Sequence, residues 1–233
     1  MKIVRRLFVS SVGRKYLMAG SGLFLFLFVV GHLVGNLQIF LGPEPINRYA
    51  HFLQSLGEIL WGVRLVMLSL VGLHVWSAVM LTIENRRARP VRYDGSGFYG
   101  ASVASRTMIV SGLIIAAFVV YHLLHFTVRA PVGLTAQDLG HLPTTLKDGT
   151  PTHDVYRMIV FGFQQPAVAL FYIIGVSLLS FHLGHGVAAM FQSLGLKNKT
   201  WDPCIERLGT VVSWALAIGY VSIPAAVLLG LVK

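Results

Sequence analysis

The stretch that decides the fold is "MAGSGLFLFLFVVGHL", residues 18–33, an apolar run with a histidine near its end. Shifted by ninety residues, it aligns with "MIVSGLIIAAFVVYHL", residues 108–123, with matches at Met, Ser-Gly-Leu, Phe-Val-Val and His-Leu. His32 therefore corresponds to His122. The repeat predicts that two helices each place one imidazole at the same depth.

The composition indicates that lipid surrounds these helices. Of the 233 residues, 55% are hydrophobic and 12% are charged, whereas a soluble domain carries about 25% charged residues. A hydrocarbon core of about 30 Å needs about 20 helical residues, and backbone groups in lipid must be paired internally. We therefore predict an all-α membrane protein, a single domain over residues 1–233. Its five transmembrane helices are expected at approximately 16–41, 57–83, 107–128, 159–192 and 208–232.

The net charge of +10 is explained by topology and not by binding of nucleic acid. Most lysines and arginines lie before the first run, between the second and third, or between the fourth and fifth, which all share one side of the membrane. The positive-inside rule then predicts a cytoplasmic N-terminus and an external C-terminus. The first run is too long for a signal peptide and is expected to be retained.

Each of the first four predicted helices carries a histidine. At 1.5 Å rise per residue, His32 and His122 lie about 25 Å from the cytoplasmic ends of their helices. His74 and His182 lie about 15 Å from the same side. Depth alone does not choose between His182 and His185, or between His122 and His125.

Four imidazoles at two depths are the axial donors that two b-type haems require. The alternative is that each histidine bonds a carbonyl on a neighbouring helix. Zinc is disfavoured, because no thiolate or carboxylate lies one helical turn away. The single cysteine, Cys204, allows no internal disulfide, and no C-x-x-C-H motif is present. Four glycines would give a flat macrocycle room, or would serve helix packing: Gly22, Gly31, Gly35 and Gly112.

His125 and His185 each follow another histidine by three residues, so they lie near the same helix faces. They are candidates for hydrogen bonds to a haem propionate, a water or a quinone. Plain packing is the alternative for both.

Several stretches together carry a family resemblance: "KYLMAGSGLFLFLFVVGHLVGNLQIF", "NRYAHFLQSLGEILW", "ENRRARPVRY", "SRTMIVSGLIIAAFVVYHL" and "FHLGHGVAAMFQSLGL". The chain resembles the cytochrome b558 subunit of bacterial succinate dehydrogenase. That family implies a five-helix anchor with two haems b in the bacterial inner (cytoplasmic) membrane. Its partners are a flavoprotein subunit with FAD, which carries the succinate chemistry, and an iron–sulfur subunit. In that family electrons pass to a membrane quinone, here expected to be menaquinone. The resemblance leaves open whether the whole assembly, respiratory complex II, forms a higher oligomer.

The resemblance implies one axial haem ligand on each of the first four helices: His32, His74, His122 and His182. His182 is chosen because it precedes Gly195 by thirteen residues, as in related anchors. His74 and His182 would hold the proximal, cytoplasmic haem, and His32 and His122 the distal one. A subgroup of di-haem fumarate reductases has a glutamate two residues before the fourth ligand. That glutamate serves transmembrane proton transfer. Here the residue is Ser180, so the resemblance does not imply this proton transfer for the chain.

A quinone needs a hydrogen-bond donor and a proton source in an apolar cleft. On the outer side, Glu58, His51 and Arg64 are the candidates. The alternative is that Glu58 faces water and Arg64 pairs with a haem propionate. Ser21 or Arg106 would line a quinone site on the cytoplasmic side.

The same resemblance predicts how the helices and partners are arranged. The first four helices bundle around the haems, and the fifth lies at the periphery with a kink at Pro224. The loop from Arg86 to Arg106 and residues Lys2 to Lys15 meet the iron–sulfur subunit, with anionic lipid as the competing partner. Two other functions are open: a free-standing di-haem oxidoreductase, and a haemless anchor or transporter.

Overall fold

The computed structural model describes residues 2–88, 103–130 and 139–233, with side chains from residue 5 onward and, after the first gap, from residue 107. Eight α-helices make up most of it: α1 (Lys2–Val9), α2 (Ser11–Leu37), α3 (Pro43–Ser55), α4 (Glu58–Arg87), α5 (Val103–His122), α6 (Val155–Gln164), α7 (Pro166–Ser193) and α8 (Asp202–Leu228). A 3₁₀ turn follows α2 over Gln38–Leu41, and a π-helix follows α5 over Leu123–Val128. Strands β1 (Pro143–Thr145) and β2 (Pro151–His153) form an antiparallel hairpin.

Five helical segments are long and apolar enough to cross a membrane: Ser11–Leu41, Glu58–Arg87, Thr107–Val128, Pro166–Ser193 and Asp202–Leu228. The prediction of an all-α, multi-pass membrane protein is thereby confirmed. The first helix begins earlier than predicted, because the Ser10 hydroxyl accepts a hydrogen bond from the Gly13 N–H and caps it.

The predicted fourth helix, 159–192, is wrong as a single element. The chain breaks at Gln165, whose backbone is extended (φ −81°, ψ 113°). The ring of a proline disfavours helical geometry in the residue before it, while Pro166 itself suits the first position of α7. The run therefore becomes a short helix, α6, and a membrane-spanning helix, α7.

The spanning helices pack in pairs that correspond under the ninety-residue repeat. Helix α2 contacts α4, α5 contacts α7, and α2 also contacts α7. Helix α8 packs against α7 and also contacts α2 and α6. A Cβ at Gly209 would lie 2.5 Å from the Gly184 carbonyl oxygen, so the backbones of α7 and α8 touch there. The Tyr220 hydroxyl of α8 donates to the Val29 carbonyl of α2 (2.7 Å).

The two ends of the bundle are held by different contacts. At one end Arg14 pairs with Glu84, and its guanidinium carbon lies 5.7 Å from the Trp76 ring centroid. At the other end the buried Asn47 of α3 donates from Nδ2 to Asp154 Oδ1 (3.0 Å). Its Oδ1 accepts from the Tyr156 N–H (3.0 Å). We call these the α1 end and the hairpin end.

Hydropathy did not predict α1, α3 or the hairpin. Helix α3 is amphipathic and buries Ile46 and Asn47 against its neighbours, so its apolar residues do not form a continuous run. Residues 89–102 of the predicted docking loop, and the side chain of Arg106, lie outside the described residues.

Candidate functional site

The first pair of imidazoles lies toward the hairpin end of the bundle. The ring centroids of His32 on α2 and His122 at the end of α5 are 5.8 Å apart, with an interplanar angle of 81°. Aromatic rings enclose the pair: Phe28 stacks on His32 (5.4 Å), Phe118 on His122 (6.3 Å), and Tyr220 lies 6.5 Å from His32. The structure thus brings together the two histidines that the repeat equates. We call them the outer pair.

The outer pair has the spacing of two imidazoles on one metal ion. Each metal–imidazole bond is about 2 Å, so two opposed rings would have centroids about 6 Å apart. One competing contact exists. The Asn36 Nδ2 lies 3.3 Å from His32 Nε2 and also donates to the His32 carbonyl (2.8 Å). Binding of a metal through Nε2 requires this amide to turn away from the ring.

The second pair, His74 on α4 and His182 on α7, lies toward the α1 end, and we call it the inner pair. His74 Nδ1 lies 3.3 Å from Ser21 Oγ and 3.2 Å from the Met18 carbonyl oxygen. His182 Nδ1 lies 3.3 Å from Ser111 Oγ. Ser21 and Ser111 are equivalent positions of the repeat, so the two contacts are related by the same internal symmetry.

Two glycines of the repeat adjoin the inner pair. A Cβ at Gly22 would lie 3.3 Å from His74 Cε1, and one at Gly112 would lie 3.4 Å from His182 Cε1. Gly35, in contrast, packs against Tyr49, whose Cε1 would lie 2.7 Å from an added Cβ. The packing alternative therefore holds for Gly35, while Gly22 and Gly112 give the imidazoles their space.

The outer and inner pairs are farther apart along the helix axis than the helix ends judged from hydropathy suggested. Gly22 precedes His32 by ten residues, as Gly112 precedes His122, which corresponds to about 15 Å of helix. The earlier estimate from helix ends was about 10 Å. It was low mainly because α2 begins at Ser11, earlier than the predicted start at residue 16, so His32 lies farther from the end of its helix than that estimate assumed.

The two additional histidines differ in their surroundings. His125 in the π-helix is 1% exposed, and its Nδ1 lies 3.0 Å from the Tyr172 hydroxyl. The Tyr172 ring centroid in turn lies 6.0 Å from that of His122, so His125 is one residue removed from the outer pair. His185 is exposed. The Ser111 contact belongs to His182, which favours His182 as the inner donor on α7.

The structure does not bring the predicted quinone residues of the hairpin end into hydrogen bonds or ion pairs with one another. Glu58 is the exposed first residue of α4, and His51 lies half-buried on α3. Arg64 is exposed, with its guanidinium carbon 4.9 Å from the Trp61 ring centroid. No hydrogen bond or ion pair links these three within the described part of the chain. Ser21 faces His74 instead of an open cleft. A quinone role for these residues stays a prediction.

The donor set of the two pairs suits haem. Within residues 2–88, 103–130 and 139–233, no three or more His, Cys, Asp or Glu side chains are grouped as metal ligands. A structural zinc ion takes four such ligands, whereas the iron of a b-type haem takes only its axial ligands from the protein. Two imidazoles from different helices, next to glycines in the inner pair and among aromatic rings in the outer pair, fit that requirement.

Several residues of the site were not singled out from the sequence. Ser111 had a signal, because it lies in the Ser-Gly-Leu match of the repeat. Tyr172, Tyr220 and Asn36 had none. Their contacts with His125, Val29 and His32 depend on how the helices are rotated.

Comparisons with known proteins give a weak similarity that covers most of the chain. No protein-family model matches the chain, and no solved structure matches it. The chain is 24% identical over 202 residues to the succinate dehydrogenase cytochrome b558 subunit of Bacillus subtilis (strain 168), a stretch that covers 85% of this chain and 87% of that protein. The similarity therefore extends over most of the length of both proteins.

Proposed function

We propose that this chain is the di-haem cytochrome b anchor of a succinate dehydrogenase, and that it carries electrons between an iron–sulfur subunit and a membrane quinone. The observation that carries the proposal is the presence of two histidine pairs, each drawn from two spanning helices, at levels about 15 Å apart. The similarity to the Bacillus subtilis cytochrome b558 subunit supports it independently.

The histidines would serve as axial ligands. His32 and His122 would hold one haem b, and His74 and His182 the other. Bound there, haem iron supplies one-electron oxidation and reduction at each level. Phe28 and Phe118 flank the outer pair.

We assign the α1 end to the cytoplasmic side, where the flavoprotein and iron–sulfur subunits bind. Arg5, Arg6 and Lys15 are exposed there and are available to a partner or to anionic lipid. Arg14 is not, because it is buried and pairs with Glu84. The inner pair would then receive electrons from the iron–sulfur subunit, and the outer pair would serve a quinone near the hairpin end.

The test is purification of the chain with the proteins bound to it. We expect a reduced-minus-oxidised spectrum of b type, two haems per chain and one co-purifying flavin. Haem without flavin would indicate the free-standing di-haem oxidoreductase. A preparation with neither would contradict the proposal in favour of a haemless anchor or transporter.

A further inference from the structure

We propose that Ser21 and Ser111 are positioning residues that fix the tautomer of the inner histidines: each serine accepts the Nδ1 hydrogen of its histidine and leaves the Nε2 lone pair for a metal. This rests on the proposed function for the identity of the metal. The tautomer itself does not depend on it.

The first step concerns the hydrogen of each serine hydroxyl. Ser21 Oγ donates to the Leu17 carbonyl (2.7 Å) and lies 3.2 Å from the Met18 carbonyl. Ser111 Oγ donates to the Met108 carbonyl (3.1 Å). A hydroxyl has one hydrogen and two lone pairs. Once that hydrogen is bound to the backbone of its own helix, the oxygen can offer only a lone pair to the imidazole.

The second step concerns the imidazole. A nitrogen that lies against a lone pair must carry the hydrogen, so His74 and His182 are protonated at Nδ1. For His74 a second contact requires the same conclusion. Its Nδ1 lies 3.2 Å from the Met18 carbonyl oxygen, which can only accept. In a neutral imidazole with Nδ1–H, Nε2 is the free donor atom.

The third step is the effect on a bound metal. A hydrogen bond from the far N–H of a ligating imidazole raises the basicity of the ligand and orients its ring. A more basic ligand favours ferric over ferrous iron, so each serine should lower the reduction potential at the inner level. His74 has a second acceptor in Met18, whereas Ser111 Oγ is the acceptor that the described contacts give His182. Loss of Ser111 should therefore have the larger effect.

The chain contains matched controls. Ser69 on α4 and Ser177 on α7 donate to the carbonyl four residues earlier (2.8 Å and 2.7 Å), as Ser21 does. Within the described part of the chain, neither hydroxyl has a hydrogen bond to a histidine. Alanine at Ser177 thus removes the same helix hydrogen bond from the helix that carries His182, without touching the imidazole.

The experiment is a redox titration of the purified complex, with haem content, for Ser111→Ala, Ser111→Thr, Ser21→Ala and Ser177→Ala. We expect Ser111→Ala to raise the midpoint potential of one haem by about 30 to 60 mV, a threefold to tenfold loss of ferric preference at about 59 mV per tenfold change. Ser21→Ala should raise the potential of the same haem by less. Ser111→Thr should restore the original value, and the other haem should be unchanged in all variants.

An unchanged inner potential in Ser111→Ala, or an equal shift in Ser177→Ala, would overturn the proposal. A separate measurement covers the case in which the wild-type chain holds no haem, which would refute the proposed function. Histidine ¹⁵N spectra of the chain in bilayers report the tautomer directly. They should show Nδ1–H at His182, identified by its loss in His182→Gln, and a mixed tautomer in Ser111→Ala. A wild-type Nε2–H tautomer at His182 would overturn the assignment of the serines.

Discussion

Alanine at either histidine of one pair should remove the same haem. The rings of His32 and His122 are 5.8 Å apart and come from different helices, so they can serve one iron between them but not two separate ones. His32→Ala and His122→Ala should therefore each lower the haem content from two per chain to one. The double variant should also retain one.

The size of this effect is set by the pairing. If each histidine acted alone, the double variant would lose twice as much haem as a single variant. Residues that act as one unit are non-additive, so here the second substitution should remove nothing more. His74→Ala and His182→Ala should each remove the other haem, and a variant that lacks His32 and His74 should hold none.

The assay is a haem determination on affinity-purified complex, normalised to protein, with the reduced-minus-oxidised spectrum recorded at low temperature to resolve the two components. Outer-pair variants should lose one spectral component and inner-pair variants the other. His125→Ala, which removes the contact to Tyr172 and leaves all four paired histidines in place, is the matched control. It should keep two haems and shift the potential of the outer one.

Two results would refute the reasoning. If His185→Ala removed a haem while His182→Ala kept both, the donor on α7 would be His185, and the Ser111 contact would have no bearing on the metal. If all four pair variants kept both haems, the pairs would be packing contacts and the proposed function would rest on similarity alone.

Three further predictions concern the frame around the site. Asn47→Ala should destabilise the hairpin end by about 2 kcal/mol, because it leaves the part-buried Tyr156 N–H without its acceptor and removes one of the hydrogen bonds to Asp154. The Tm in detergent should fall, whereas Gln54→Ala on the exposed face of α3 should leave it unchanged. Gly209→Val should separate α7 from α8 and lower the free energy of unfolding by about 1 to 3 kcal/mol. Gly62→Val is the control, because an added Cβ there meets no atom within 4 Å, and it should leave the Tm unchanged. Equal decreases in Tm for the two variants would contradict the backbone contact at Gly184. Burial lowers the pKa of His153 and nearby Arg129 lowers it further, against an opposing effect of Asp154. Neutral His153 therefore contributes stability that is present above its unfolded pKa of about 6.5 and is lost as the pH falls through the lower folded pKa. Hydrogen exchange of the hairpin amides should accelerate on acidification of the wild type. The acceleration should be smaller in His153→Gln.

The sequence alone determined the features that depend on neighbouring residues. Five apolar runs gave the spans, and the ninety-residue repeat gave the equivalence of His32 and His122, because hydropathy and helical rise are local properties of the chain. Even the break in the fourth run had a local signal in Pro166, which the length of the apolar stretch concealed.

Only the tertiary structure decided how each helix is rotated and how far it is offset along its axis. That rotation turns Ser111 toward His182, joins His125 to Tyr172, and brings Tyr220 of the fifth spanning helix to the outer pair. The offset sets the two levels about 15 Å apart. Both follow from contacts between residues distant in sequence, such as the backbone approach of Gly184 and Gly209. A hydropathy pattern is the same for every rotation of a helix that is apolar on all sides, so it cannot specify them.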